Sequence, residues 1–146
     1  MFRLLCFLSL VDIMEQRDYL KKQIDQLGQV LAKIFSDLLG LKNSGQINAG
    51  LEITSQALKN ELNIDIQALL DIPTDNFIDT LTTQKNLTND NLDKLAEILL
   101  LIADNRQDDN KKLYEKCLTI YEYLEKVENI YTLDRQWKMK RIKNEL

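Results

Sequence analysis

Four aspartates are the residues of this chain whose type and spacing could bind a metal ion. Asp65, Asp71, Asp75 and Asp79 stand six, four and four residues apart, and helical carboxylates close together can bind a hard divalent cation. The chain contains no histidine, so the Glu-x-x-His pairs that complete carboxylate metal centres in helix bundles are absent. We therefore expect helix caps and solvated helix faces here, with no metal site and no cofactor.

Other catalytic arrangements are also missing from the sequence. Without histidine, a serine or cysteine nucleophile lacks its usual general base. Cys117 lies on an apolar helical stripe, which predicts a buried structural thiol. The polar turn at residues 104–110 resembles a calcium loop but lacks the glycine and the final glutamate of that motif. With no glycine-rich phosphate loop either, we predict that the chain is not an enzyme.

Aromatic residues near the C-terminus are the next candidates for function. Tyr114 and Tyr121 are seven residues apart and so share one helical face. This spacing favours a place in the core or in a protein interface over a platform for stacking bases. Together with the single tryptophan, Trp137, these tyrosines form part of a possible protein interface.

The C-terminal segment is basic. Residues 135–143 (RQWKMKRIK) alternate cations with apolar side chains, which fits a terminal helix clamped to the protein body, a membrane-surface segment or a nucleic-acid contact. Residues 132–146 carry five basic and two acidic side chains, whereas residues 43–131 carry eight basic and sixteen acidic ones. This difference favours the clamped helix and argues against nucleic-acid binding.

The clamped helix has a predicted orientation. We expect Leu133 and Trp137, one turn apart, to dock it onto the preceding tyrosine-rich helix. Arg135, Lys138 and Arg141 should then face acidic groups of the body or solvent.

A long apolar seam near the N-terminus predicts a helix against which much of the remaining chain could pack. Its residues are separated by alternating steps of four and three, and they are Leu20, Ile24, Leu27, Leu31, Ile34, Leu38 and Leu41. Such a heptad pattern predicts a helix over residues 19–41. The seam serves either as a contact surface for a partner, through Leu20, Leu27 and Leu31, or as a contact within the chain.

The remaining sequence predicts helices and no strands. Apolar periodicity and capping residues indicate helices at 46–62, 65–71, from 74 or 75 onward, 89–103, through 113–127 and at 133–144. No segment shows strand alternation, and no linker divides the chain. A chain of 146 residues with 45% hydrophobic residues can build its own core. We predict an all-α fold, a compact bundle of about six to seven helices forming one domain over residues 14–146.

Residues 1–13 precede a second methionine, Met14, and are expected to be an upstream extension from a wrongly assigned start codon. Their apolar run, residues 4–11, is too short to span a membrane. A small-x-small cleavage site is missing, which argues against an export signal. A short buried or surface helix is the other interpretation.

The fifth and sixth predicted helices resemble one tetratricopeptide repeat over about forty residues. The matching positions of the first helix are Leu92, Leu95, Ala96 and Leu99. Tyr114 and Cys117 fit the aromatic and small positions of the second helix. The turn is two residues longer than the motif allows, and Asn110 replaces an expected alanine. The resemblance implies a helical hairpin, but a peptide-binding groove needs stacked repeats.

A second resemblance concerns the long helix. Residues 18–34 (DYLKKQIDQLGQVLAKI) are similar to the start of a family of small uncharacterised bacterial helical proteins. That family matches this chain in length from Met14 onward. The resemblance implies an all-helical fold and supplies no chemistry.

These observations predict a non-catalytic helical protein that acts through protein contacts and can form a homo-oligomer. The alternative is a peripheral membrane protein that uses the apolar N-terminus together with the basic C-terminal helix, which requires residues 1–13 to be retained. Two cysteines and no disulfide framework predict a reducing compartment, here the cytoplasm.

Overall fold

The computed structural model describes the backbone of residues 2–146 and the side chains of residues 14–146. This part of the chain forms seven α-helices and no strand, which confirms the all-α prediction. The helices are α1 (Phe2–Asn43), α2 (Ile47–Leu62), α3 (Ile66–Asp71), α4 (Thr74–Asp79), α5 (Asn89–Asn105), α6 (Asn110–Glu128) and α7 (Leu133–Glu145). A π-helical turn, Thr80–Gln84, continues α4. The prediction that residues 1–13 are an extension lies outside the described side chains.

Three helices begin at the capping residues expected from the sequence. The side chains of Asp65, Thr88 and Thr132 accept hydrogen bonds from backbone N–H groups two or three residues later, at 3.2, 3.4 and 3.3 Å. Each bond satisfies a donor that has no partner within its own helix. Helices α3, α5 and α7 therefore begin where local chemistry predicts.

Helix α5 is the centre of the bundle. It packs against α6 on one side and α1 on the other, while α2 packs on α1 and α7 packs on α6. Six consecutive residues, 98–103, are buried, so the second half of α5 is enclosed on all sides. The position of every other long helix is thus set directly or through one neighbour by α5.

Helices α1 and α5 approach closely at Gly28. A Cβ atom there would lie 3.0 Å from Asn91 Oδ1 and 3.1 Å from Lys94 Nζ. The Asn91 side-chain amide also donates a hydrogen bond of 3.3 Å to the backbone oxygen of Ile24. Gly28 therefore permits the contact that holds the middle of α1 against the bundle.

Candidate interaction surfaces

The N-terminal part of α1 extends beyond the helices it packs against. Residues 14–23 are all exposed, and the side chains of Tyr19 and Leu20 are more than half accessible to solvent. These ten residues span about 15 Å of helix. A helix gains most of its stability from packing an apolar face, so the exposed apolar side chains of this segment are available to a partner.

A groove runs along α1 where this exposed segment meets the bundle. Its volume is about 610 Å³. The α1 side is lined by four apolar residues, Leu20, Ile24, Leu27 and Val30, and by Gln23 and Gln26. The other lining residues are Glu61, Thr82, Lys85, Asn86, Leu87 and Thr88. Proteins commonly accept an amphipathic helix in a groove that offers an apolar stripe of this kind.

The predicted interface residues of α1 divide between surface and core. Leu20 is 53% exposed, Leu27 is half-buried, and Leu31 is completely buried. Leu31 belongs to the contact within the chain, and the prediction that it faces a partner does not fit its position. The heptad seam therefore enters the core between Leu27 and Leu31.

Tyr114 and Tyr121 are core residues. Both are buried, and the Tyr114 hydroxyl donates a 2.7 Å hydrogen bond to Asp104 Oδ1. Burial and this bond to a carboxylate raise the pKa of Tyr114, and burial likewise raises that of Tyr121. Neither side chain is accessible to a partner in this structure, so the two tyrosines stabilise the bundle.

The predicted orientation of α7 is wrong. Leu133 is 83% exposed and Trp137 is 64% exposed. The buried residues of α7 are instead Arg135, Met139 and Ile142, which follow one another at steps of four and three. Since Leu133 and Trp137 each stand two positions before a buried residue, they lie roughly 200° around the helix, on its outward side.

An ion cluster docks the inward side of α7. The Arg135 guanidinium lies 3.7 Å from Asp93, 3.6 Å from Glu125 and 3.8 Å from Glu128. Burial raises the pKa of Asp93, and the charge of Arg135 offsets only part of that rise. Arg135 is the centre of this cluster because its own side chain is almost fully buried.

Two further cations on α7 also meet acids, as the sequence predicts. Lys138 Nζ lies 3.0 Å from Glu97 and 2.9 Å from Asp134. The Arg141 guanidinium donates two hydrogen bonds to Asp104, at 2.8 and 2.9 Å. A paired geometry of this kind is stronger than a single contact. The charge pattern of α7 thus neutralises acidic groups of α5.

Helix α6 buries two ionisable side chains. Cys117 is completely buried, as expected, and burial raises the pKa of its thiol. Sequence reasoning missed its neighbour Lys116, which is also buried. Lys116 Nζ donates to the Ile72 backbone oxygen and lies 4.7 Å from the centre of the Phe77 ring. The available signal was its position three residues after Leu113 and four before Ile120, both core residues.

No group of three potential metal ligands comes together among the described side chains. Asp65 serves as the N-cap of α3. Within the same part of the chain, no helix combines the length and the apolarity needed to cross a bilayer.

Comparison of the chain with protein-family models, curated proteins and solved structures found no match. The assignment of interaction surfaces therefore rests on the geometry of this chain alone.

Proposed function

We propose that this protein is a non-catalytic interaction protein that self-associates through α1. The observation that carries the proposal is the exposed segment of residues 14–23, which continues directly into the groove whose apolar stripe is formed by Leu20, Ile24 and Leu27. A second copy supplies both parts, an amphipathic helix and a groove that accepts one.

An antiparallel arrangement satisfies both copies at once. If the two-fold axis passes near Leu20, the exposed segment of each chain lies in the groove of the other, as in a symmetric dimer. Fully burying a leucine side chain contributes about 1.5–3 kcal/mol, so covering Leu20, which is 53% exposed, in both copies favours association.

The proposal agrees with the other predictions from the sequence. A non-catalytic role fits the absence of histidine, and a cytoplasmic location fits the buried free thiol of Cys117. The proposed similarity to a family of small bacterial helical proteins concerns residues 18–34 alone. The tetratricopeptide resemblance supports a packed hairpin of α5 and α6, whose matching residues are buried in the core.

Two matched variants test the proposal. Leu20 and Ile53 are equally exposed, at 53% and 54%, but only Leu20 lies at the groove. We expect Leu20→Glu to weaken self-association at least tenfold, because each carboxylate would enter an apolar site. Ile53→Glu should leave the association constant unchanged. Light scattering over a range of concentrations measures both, and equal effects of the two variants would contradict the proposal.

A further inference from the structure

We propose that the outward face of α7 docks on the surface of an anionic lipid bilayer. This face consists of Leu133, Trp137, Lys140 and Lys143, together with Tyr131 in the preceding loop. Leu133, Trp137 and Lys140 lie on the side of α7 opposite the buried Arg135, Met139 and Ile142, and Lys143 lies at the edge of that side. The same helix can therefore remain docked on the bundle while it contacts a membrane.

The first half of this face is apolar and unusually open. Tyr131 is 73% exposed, and Leu133 and Trp137 are more exposed than buried. Leu133 and Trp137 are adjacent on one helical stripe, and Tyr131 precedes the helix by two residues. Neighbouring exposed apolar side chains of this size mark a contact surface, and tryptophan and tyrosine are the residues that favour the boundary between water and lipid.

The second half of the face is cationic. Lys140 follows Trp137 on the same stripe, and Lys143 lies beside it at the next turn. Neither lysine takes part in an ion pair among the described side chains. The Arg141 guanidinium lies 5.8 Å from the centre of the Trp137 ring, at the border between the apolar and cationic parts.

The inward cations of α7 offset part of the acidic charge beneath this face, in a chain whose net charge is −4. Arg135 pairs with three carboxylates, Lys138 pairs with Glu97, and Arg141 pairs with Asp104. Lys138 also pairs with Asp134, so these three cations offset three of the six carboxylates that they contact. The acids of α5 and α6 lie on the far side of α7 from Lys140, and their field is screened over about 8 Å at physiological ionic strength. Lys140 is therefore the charge closest to an anionic surface docked on the outward face.

The composition of the face favours a bilayer over a protein partner. The face joins exposed aromatic and aliphatic side chains to a lysine, and its cavity, lined by Trp137, Lys140, Arg141 and Asn144, has a volume of about 300 Å³, about half that of the groove at α1. A bilayer accepts a helix lying parallel to its plane, with apolar side chains in the headgroup boundary and lysines at anionic lipids. Apolar insertion and lysine–lipid attraction also supply the two signals that stable membrane binding requires.

Trp137 provides a direct readout because it is the only tryptophan in the chain. On titration with phosphatidylcholine vesicles containing about one third phosphatidylserine, we expect its fluorescence emission to move to shorter wavelength as the ring leaves water. Vesicles of phosphatidylcholine alone should give a much smaller shift. No shift with the anionic vesicles, or equal shifts with both, overturns the proposal.

Charge-reversal variants locate the effect. The double variant Lys140→Glu with Lys143→Glu should weaken vesicle binding by at least about tenfold, since each lysine near an anionic surface strengthens binding. The double variant Lys111→Glu with Lys112→Glu changes the net charge equally at exposed sites on α6, and it should bind nearly as the original protein does. Equal losses in both overturn the assignment to α7.

Two further results distinguish membrane docking by α7 from protein contact. Leu20→Glu should retain vesicle binding, so failure of self-association through α1 leaves the membrane test intact. A shift of Trp137 emission that depends on protein concentration without lipid would assign the outward face to protein contact and overturn the membrane proposal. Trp137→Ala, followed by vesicle co-sedimentation, should bind more weakly while it keeps the helical circular dichroism of the original chain.

Discussion

Alanine substitutions of Ile142 and Trp137 test which side of α7 carries its docking energy. Ile142 is fully buried, whereas Trp137 is 64% exposed. Truncating a buried isoleucine to alanine costs about 2–5 kcal/mol. A fully buried tryptophan would cost about 3–5 kcal/mol. Because only about a third of Trp137 is covered, scaling that cost leaves about 1 kcal/mol.

These energies convert into distinct melting temperatures. In a domain of this size, each kcal/mol lowers Tm by about 2–4 °C. We expect Ile142→Ala to lower Tm by about 4–20 °C and Trp137→Ala by about 2–4 °C. Thermal unfolding followed by circular dichroism measures both, with Tyr131→Ala as a control at another exposed aromatic. A loss for Trp137→Ala as large as that for Ile142→Ala would refute the outward placement of the tryptophan.

Three further substitutions test the polar contacts of the bundle. Arg135→Ala should lower the free energy of unfolding by about 1–3 kcal/mol, because it leaves Glu125 and its neighbouring acids uncompensated; an unchanged urea midpoint contradicts this. Asp93→Asn should stabilise the protein at neutral pH. The raised pKa of Asp93 means that its charged form is favoured less when folded, and the gain should vanish below about pH 4, where Asp93 is protonated in both states. A less stable variant at neutral pH would count against this reasoning. Lys116→Met should cost about 1–3 kcal/mol in urea unfolding by leaving the Ile72 oxygen without its donor, and no loss would show that water replaces it.

Helix positions could be read from the sequence because they depend on local patterns. The alternation of leucines predicts α1, and Asp65, Thr88 and Thr132 cap α3, α5 and α7 as expected. Periodicity and capping act within a few residues, so one sequence contains the information they need.

The orientation of α7 could not be read in the same way. Apolar residues occur on both sides of this helix, with Leu133 and Trp137 on one and Met139 and Ile142 on the other. Which side of α7 packs on the bundle depends on acids of α5 and α6 that form ion pairs with Arg135. These acids are distant along the chain, and periodicity within α7 carries no information about them.

The burial of Lys116 and the exposure of the first part of the α1 seam could not be predicted from the sequence, and the physical reason is the same for both. The sequence showed one continuous seam, but the bundle covers it only from about Leu31 onward, because the partner helices end there. The buried Lys116 contacts the backbone oxygen of Ile72, directly after α3, and the Phe77 ring of α4. Both features depend on the lengths and positions of packing partners.

The mass of the intact protein in solution tests the central claim that α1 mediates self-association. The chain has a mass of 17.1 kDa. Light scattering across micromolar concentrations should give a mass that rises with concentration towards twice this value, and Leu20→Glu should return it to that of a single chain. A mass of 17.1 kDa for the original protein at every concentration would contradict the account.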